Sequence, residues 1–110
     1  MKQKDYINEF KKITQAQVEL TERKNSDYAD TNDAFANFRM IELLTRGRIT
    51  TEIGIITRMT DKLQRVANLL SREAQVKDEK IEDTLMDLSI YSKILLIYLK
   101  NKNENKNTKS

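Results

Sequence analysis

The chain has 110 residues, is 34% charged with a formal net charge of +3, and contains two glycines but no proline, cysteine, histidine or tryptophan. These absences exclude disulfides, thiol nucleophiles, zinc–thiolate sites, imidazole ligands and histidine triads, and two glycines cannot build a Gly-rich phosphate loop. The length suits one domain with a thin core, and the lack of proline favours long uninterrupted helices.

Tyr6, Phe10, Ile13 and Leu20 recur on one helical face, with Gln17 in the same stripe, and predict a first helix from about Asp5 to Asn25. The polar segment "SDYADTNDAFANF" follows, rich in Asp and Asn, which favour turns and caps. Its Asp27, Asp30 and Asp33 recur every third residue, which does not fit an EF-hand calcium loop. Tyr28 either stacks on a base or closes the core. A short second helix is expected from Asp33, a good N-cap, to Thr45, closed by "RGR" around Gly47.

The third helix is expected from Thr50 to Leu70, with Ile53, Ile56, Met59, Leu63, Val66 and Leu70 as its core stripe. Arg58, Lys62 and Arg65 fall along one flank. Lys62 has Ile55 and Leu69 seven residues away on either side, so its stem packs on apolar surface. This flank is either a snorkelling edge or a place for phosphate oxygens.

A link, "SREAQVK", leads to the fourth helix, with Asp78 as its expected N-cap. On a wheel of about 100° per residue, Ile81, Leu85, Leu88, Leu95 and Leu99 make the core stripe. Glu79, Asp83 and Asp87 form another stripe, which continues down the helix as Ile90, Ile94 and Ile97, and Asp87 lies furthest from the solvent side. Like charges one turn apart repel, and burial sharpens the repulsion, so a positive partner is expected. A divalent cation fits: carboxylates one turn apart can share Mg²⁺, with Mn²⁺ as an alternative. The plainer reading is an acidic first turn favoured by the helix dipole, which accounts for Glu79 better than for Asp87. From Ile90 to Leu99 the helix is apolar nearly all round, which calls for neighbours that a single small chain does not supply. A homodimer or homotetramer built around this helix is expected.

The last segment, "KNKNENKNTKS", holds four lysines and one glutamate and carries the whole charge excess. It reads as a disordered, solubilising tail over residues 100–110, or a weak electrostatic arm, beside a single all-α domain over residues 1–99. Nucleic-acid binding is therefore not expected. No apolar run approaches the ~20 residues of a membrane span and no signal-peptide pattern opens the chain, so a cytoplasmic location without membrane contact is expected. The expected fold class is all-α, a small helical bundle of about four helices completed by oligomerisation.

Three segments, "KNSDY" (Lys24 to Tyr28), "RMTDKLQRVANLL" (Arg58 to Leu70) and "EKIEDTLMDLSIY" (Glu79 to Tyr91), resemble in their order the nucleotide modification associated domain family, first type. That family is similar to the all-α MazG-like NTP pyrophosphohydrolases of phages and bacteria. The resemblance implies a nucleotide-handling protein that uses Mg²⁺ and assembles as dimers or tetramers. It implies Glu79, Asp83 and Asp87 as metal ligands, Lys62 and Arg65 as the cations at the phosphates, and Lys24, Asn25, Asp27, Tyr28 and Arg58 as substrate contacts. Glu19 and Glu22 have the E-x-x-E spacing that such enzymes carry on an earlier helix, which makes Glu22 the candidate base. A non-catalytic helical module that binds nucleotides or a protein is the other reading.

Overall fold

The computed structural model describes residues 1–27, 34–71 and 79–108, with side chains over 1–24, 34–71 and 81–105. Among the described residues the regular elements are all helical: α1 (Gln3–Asp27), α2 (Ala36–Leu44), α3 (Thr51–Ser71) and α4 (Glu79–Thr108). The chain divides into two compact units, Met1–Ala34 and Phe35–Ser110, where the sequence suggested one domain over residues 1–99.

The first unit carries α1. Its periodicity is the expected one, and its Tyr6, Phe10 and Ile13 are exposed. Local contacts run along the helix: Thr14 Oγ1 donates to the Phe10 carbonyl at 2.9 Å, and Lys12 stands 3.5 Å from Glu9. Such exposed pairs contribute only a few tenths of a kcal/mol, on the order of ~0.3.

In the second unit α3 packs against both α2 and α4. The expected caps Asp33 and Asp78 lie outside the described residues, and the N-cap position of α2 is held by Phe35, which makes no side-chain cap bond. The end of α2 is a Schellman motif. Gly47 N–H donates to the Glu42 carbonyl at 2.8 Å and Arg46 N–H to the Leu43 carbonyl at 3.2 Å. Both turn residues are left-handed, Arg46 at φ 55° and Gly47 at φ 81°. The sequence placed the burden on Gly47, yet the first left-handed position falls on an arginine.

The start of α3 is held twice. Thr50 Oγ1 accepts from Ile53 N–H at 3.2 Å, and Glu42 of α2 accepts from Thr51 N–H at 3.1 Å. A carboxylate at this end also meets the positive pole of the helix dipole. One turn on, a Cβ added to Gly54 would lie 2.7 Å from Ile41 Cγ2, so glycine is what lets α2 approach α3 this closely.

The core differs from the expected stripes by a rotation of both long helices. Ile55, Val66 and Tyr98 are the buried apolar side chains among the described residues, joined by Thr51 and Thr84. On α3 the inward line passes through Ile55, Lys62, Val66 and Leu69, while Ile53, Ile56, Leu63 and Leu70, expected in the core, are exposed. On α4 the inward line passes through Thr84, Tyr91 and Tyr98, while Leu85 and Leu99 are exposed. The aromatic contacts account for the rotation. Phe35 meets Tyr98 edge-on at 5.3 Å and Phe38 meets Tyr91 edge-on at 6.3 Å. Each such pair adds about 0.5–1.5 kcal/mol beyond area burial. Two of them, seven residues apart on α4, turn the tyrosines rather than the leucines inward.

The tail expectation is corrected over residues 100–108. There α4 continues as helix to Thr108, and Lys102 Nζ reaches Glu52 Oε2 on α3 at 2.8 Å. Lys and Glu propagate a helix well, Asn costs only a few tenths of a kcal/mol (~0.5), and neither Gly nor Pro interrupts the segment. Among the described residues no helix is long and apolar enough to cross a membrane.

Candidate functional site

The cations of α3 and the carboxylates of α4 meet at one contact. Lys62 Nζ stands 3.3 Å from Asp87 Oδ2, and both side chains are about seven-tenths enclosed. The reason lies in the two sequences. Lys62 shares the inward line of Ile55 and Leu69, so its stem runs along the junction and delivers the ammonium there. Asp87 sits one turn from both the buried Thr84 and the half-buried Tyr91, and it is more enclosed than Asp83, the order the helical wheel gave. The positive partner that Asp87 required is thus the Lys62 ammonium.

Arg58, one turn before Lys62, holds its guanidinium 5.0 Å from the centre of the Phe38 ring. Phe38 in turn lies edge-on to Tyr91, so an aromatic stack fixes this arginine above the α2–α3 junction. Arg39 bridges the second aromatic pair, 5.9 Å from both the Phe35 and the Tyr98 rings. Next to Arg58 opens an apolar cavity of about 400 Å³ between α2 and α3, lined among others by Phe38, Ile41, Ile49 and Gly54.

Arg65 and Asp83 are exposed and lie on the same two helices, each about a turn from the Lys62–Asp87 contact and, because the helices run antiparallel, both toward the same end of the pair. Glu79 begins α4, and its side chain lies outside the described ones. Glu22 and Lys24 are exposed on α1. Asn25 and Asp27 belong to α1 by backbone but not by described side chain, and Tyr28 lies outside the described residues. Of the expected site, the structure therefore brings together Lys62 and Asp87. Among the described residues no three carboxylates converge in a way that would hold a metal ion.

Two features escaped the sequence reading. One is the paired aromatic contact of α2 with α4, whose signal was the seven-residue step from Tyr91 to Tyr98 matched by Phe35 and Phe38 one turn apart. The other is the Glu52–Lys102 bridge, to which no local pattern pointed. Its hydrogen bond from Lys102 holds the Glu52 carboxyl below its ordinary range against partial burial, which pushes it up. The same contact raises the Lys102 ammonium.

Compared with known proteins, the chain matches no family model, no curated protein and no solved structure.

Proposed function

We propose that this chain is a helical protein-binding module that works by laying the apolar surface of its α3–α4 pair against another chain. One observation carries the reading. Three apolar side chains are buried among the described residues, while Leu63 and Leu70 on one side of α3, and Leu85 and Leu96 on one side of α4, each stand about half exposed or more. Scattered apolar residues on a surface need no explanation, but a contiguous apolar patch marks a contact surface. Leucine footprinting by photochemical oxidation, inside expressing cells and on purified protein at nanomolar concentration, tests it. Protection of Leu63, Leu70 and Leu85 in cells is expected, and equal oxidation in both settings would refute the reading.

A second reading has its own support in the Lys62–Asp87 contact: Mg²⁺-dependent nucleotide binding, with pyrophosphohydrolysis as its catalytic extension, in a cytoplasmic protein. Arg58, Lys62 and Arg65 would take phosphate oxygens. Glu79, Asp83 and Asp87 would hold Mg²⁺ or Mn²⁺, which supplies charge neutralisation and a bound water of lowered pKa. Ammonium and carboxylate already face each other across α3 and α4, and a metal-bound polyphosphate could exchange with both. A thermal-shift panel of nucleoside triphosphates with and without Mg²⁺ tests this reading, because a ligand of the native state raises Tm by mass action. A rise that needs Mg²⁺ and vanishes in Asp83→Asn is expected, and an unchanged Tm in every well would refute it.

A further inference from the structure

We infer that the cavity between α2 and α3 is a binding site for a small aliphatic monocarboxylate, its tail lying along the two helices and its head at Arg58. The inference goes beyond the binding-module reading, whose face lies on other residues, and it gives Arg58 a ligand other than a polyphosphate. At about 400 Å³ the cavity falls within the ~300–1,000 Å³ typical of small-molecule sites. Three contacts set the register of its walls. Arg58 lies 5.0 Å from the centre of the Phe38 ring, Gly54 passes Ile41, and Thr51 N–H donates to Glu42 at 3.1 Å. Residue numbers rise along α2 as they fall along α3, so these helices run antiparallel and the turn after α2 closes one end.

That register makes the cavity polar at one end and apolar at the other. Asn37, Phe38 and Arg58 line one end and Leu44 and Ile49 the other, with Ile41 and Gly54 between them. From Asn37 to Leu44 helix α2 advances roughly 10 Å, the length of a medium-chain acyl tail. The walls suit such a tail. Gly54 contributes no side chain, and the Thr57 hydroxyl already donates to the Ile53 carbonyl at 2.8 Å, so no unmade donor is left on that side. Met40 and Leu44, which also line the cavity, are 51% and 74% exposed. A bound tail covers them, and removing their apolar surface from water supplies the driving force.

The head group follows from charge. Among the described residues no carboxylate pairs with Arg58, and the Asn37 side chain makes no hydrogen bond. The Phe38 ring, itself edge-on to Tyr91 at 6.3 Å, holds the guanidinium in position before a ligand arrives. A planar guanidinium takes a carboxylate through two parallel hydrogen bonds, and the Asn37 amide is a further donor at the same end. One guanidinium balances one unit of charge, which selects a monoanion. A nucleotide fits poorly, because its sugar and phosphates would meet apolar walls without polar partners.

Methyl NMR of the full chain, labelled at isoleucine and leucine and titrated with octanoate, tests the inference. Saturable shifts are expected at Ile41, Leu44 and Ile49, with an affinity in the low-millimolar range for a ligand of this size. Ile56, Leu63 and Leu70, on the other side of α3, should stay in place. Octanol has the tail without the charge and acetate the charge without the tail; each should bind about fivefold more weakly or worse. Arg58→Met keeps an apolar stem at an exposed position. It should weaken octanoate about fivefold, to the level of octanol, and leave octanol itself unchanged, which also shows that the cavity is still folded. Octanol binding as tightly as octanoate, or octanoate binding undiminished in Arg58→Met, would overturn the inference. So would shifts confined to Leu63, Leu70 and Leu85, or no saturable shift at all.

Discussion

Lys62 of α3 and Asp87 of α4 form a partly enclosed ion pair, ammonium to carboxylate at 3.3 Å, at the junction of the two longest helices of their unit. Neither charge is fully desolvated, so the pair itself contributes modestly, about 1 kcal/mol. Its removal by halves costs more than its removal as a whole. Lys62→Met should destabilise by roughly 1–2 kcal/mol, because it leaves Asp87 without its partner beside apolar surface. Lys62→Met with Asp87→Leu should recover most of that loss. Urea unfolding of the four proteins in a double-mutant cycle measures the coupling. Strict additivity would show that the contact carries no energy.

The Glu52–Lys102 bridge gives stability a defined pH window. The Glu52 carboxyl is lowered from 4.5, so its contribution is complete above 4.5 and is lost as pH falls through the lowered value. Lys102 is raised from 10.5, so its contribution is complete below 10.5 and is lost as pH rises through the raised value. The Tm difference between wild type and Lys102→Met should therefore be constant between these limits and shrink beyond each of them. Truncation after Lys100 should lower Tm at pH 7 as Lys102→Met does. A truncated chain with the wild-type Tm would show that the last turns of α4 are bystanders.

Gly54 and Ile41 are coupled by distance. Alanine is the better helix former by about 1 kcal/mol. At this site its Cβ would meet Ile41 Cγ2 at 2.7 Å, and overpacking typically costs about 1–3 kcal/mol. Gly54→Ala should therefore lower Tm in the wild-type background. In an Ile41→Ala background the clash is gone and the same substitution should raise Tm. An increase in both backgrounds would mean that α2 is free to move off α3.

Arg46 holds a left-handed conformation in which an L side chain is strained by roughly 1 kcal/mol. No side-chain contact of Arg46 offsets that strain among those described. Arg46→Gly should stabilise the Schellman turn and raise Tm by a few degrees, about 4 for a gain near 1 kcal/mol in a chain of this size. Differential scanning calorimetry reads it directly, and a lower Tm would show that the arginine makes an energetic contact elsewhere.

The all-helical class, the order of the helices and, apart from the C-terminal end of α4, their ends to within about three residues were legible in composition and periodicity. A chain without proline, with apolar residues three and four apart and a glycine after Arg46, has few alternatives to helices with a turn at that point. The wheel also ranked Asp87 above Asp83 in enclosure, because rank along one helix depends only on spacing. Which side of α3 and α4 faces inward was not legible. Both helices are apolar over more than one stripe, and periodicity alone assigns no preference between Ile55 with Leu69 and Ile56 with Leu63. Contacts with α2 chose: the Phe35–Tyr98 and Phe38–Tyr91 pairs and the close passage at Gly54 turned one stripe in and left the other out. The same holds for the last turns of α4. Their local composition is that of a solvated tail, and only a carboxylate fifty residues earlier in the chain, brought near by the antiparallel pairing, gives Lys102 a partner. Spacing fixes what a helix can present, and packing between distant segments selects which of those faces is used.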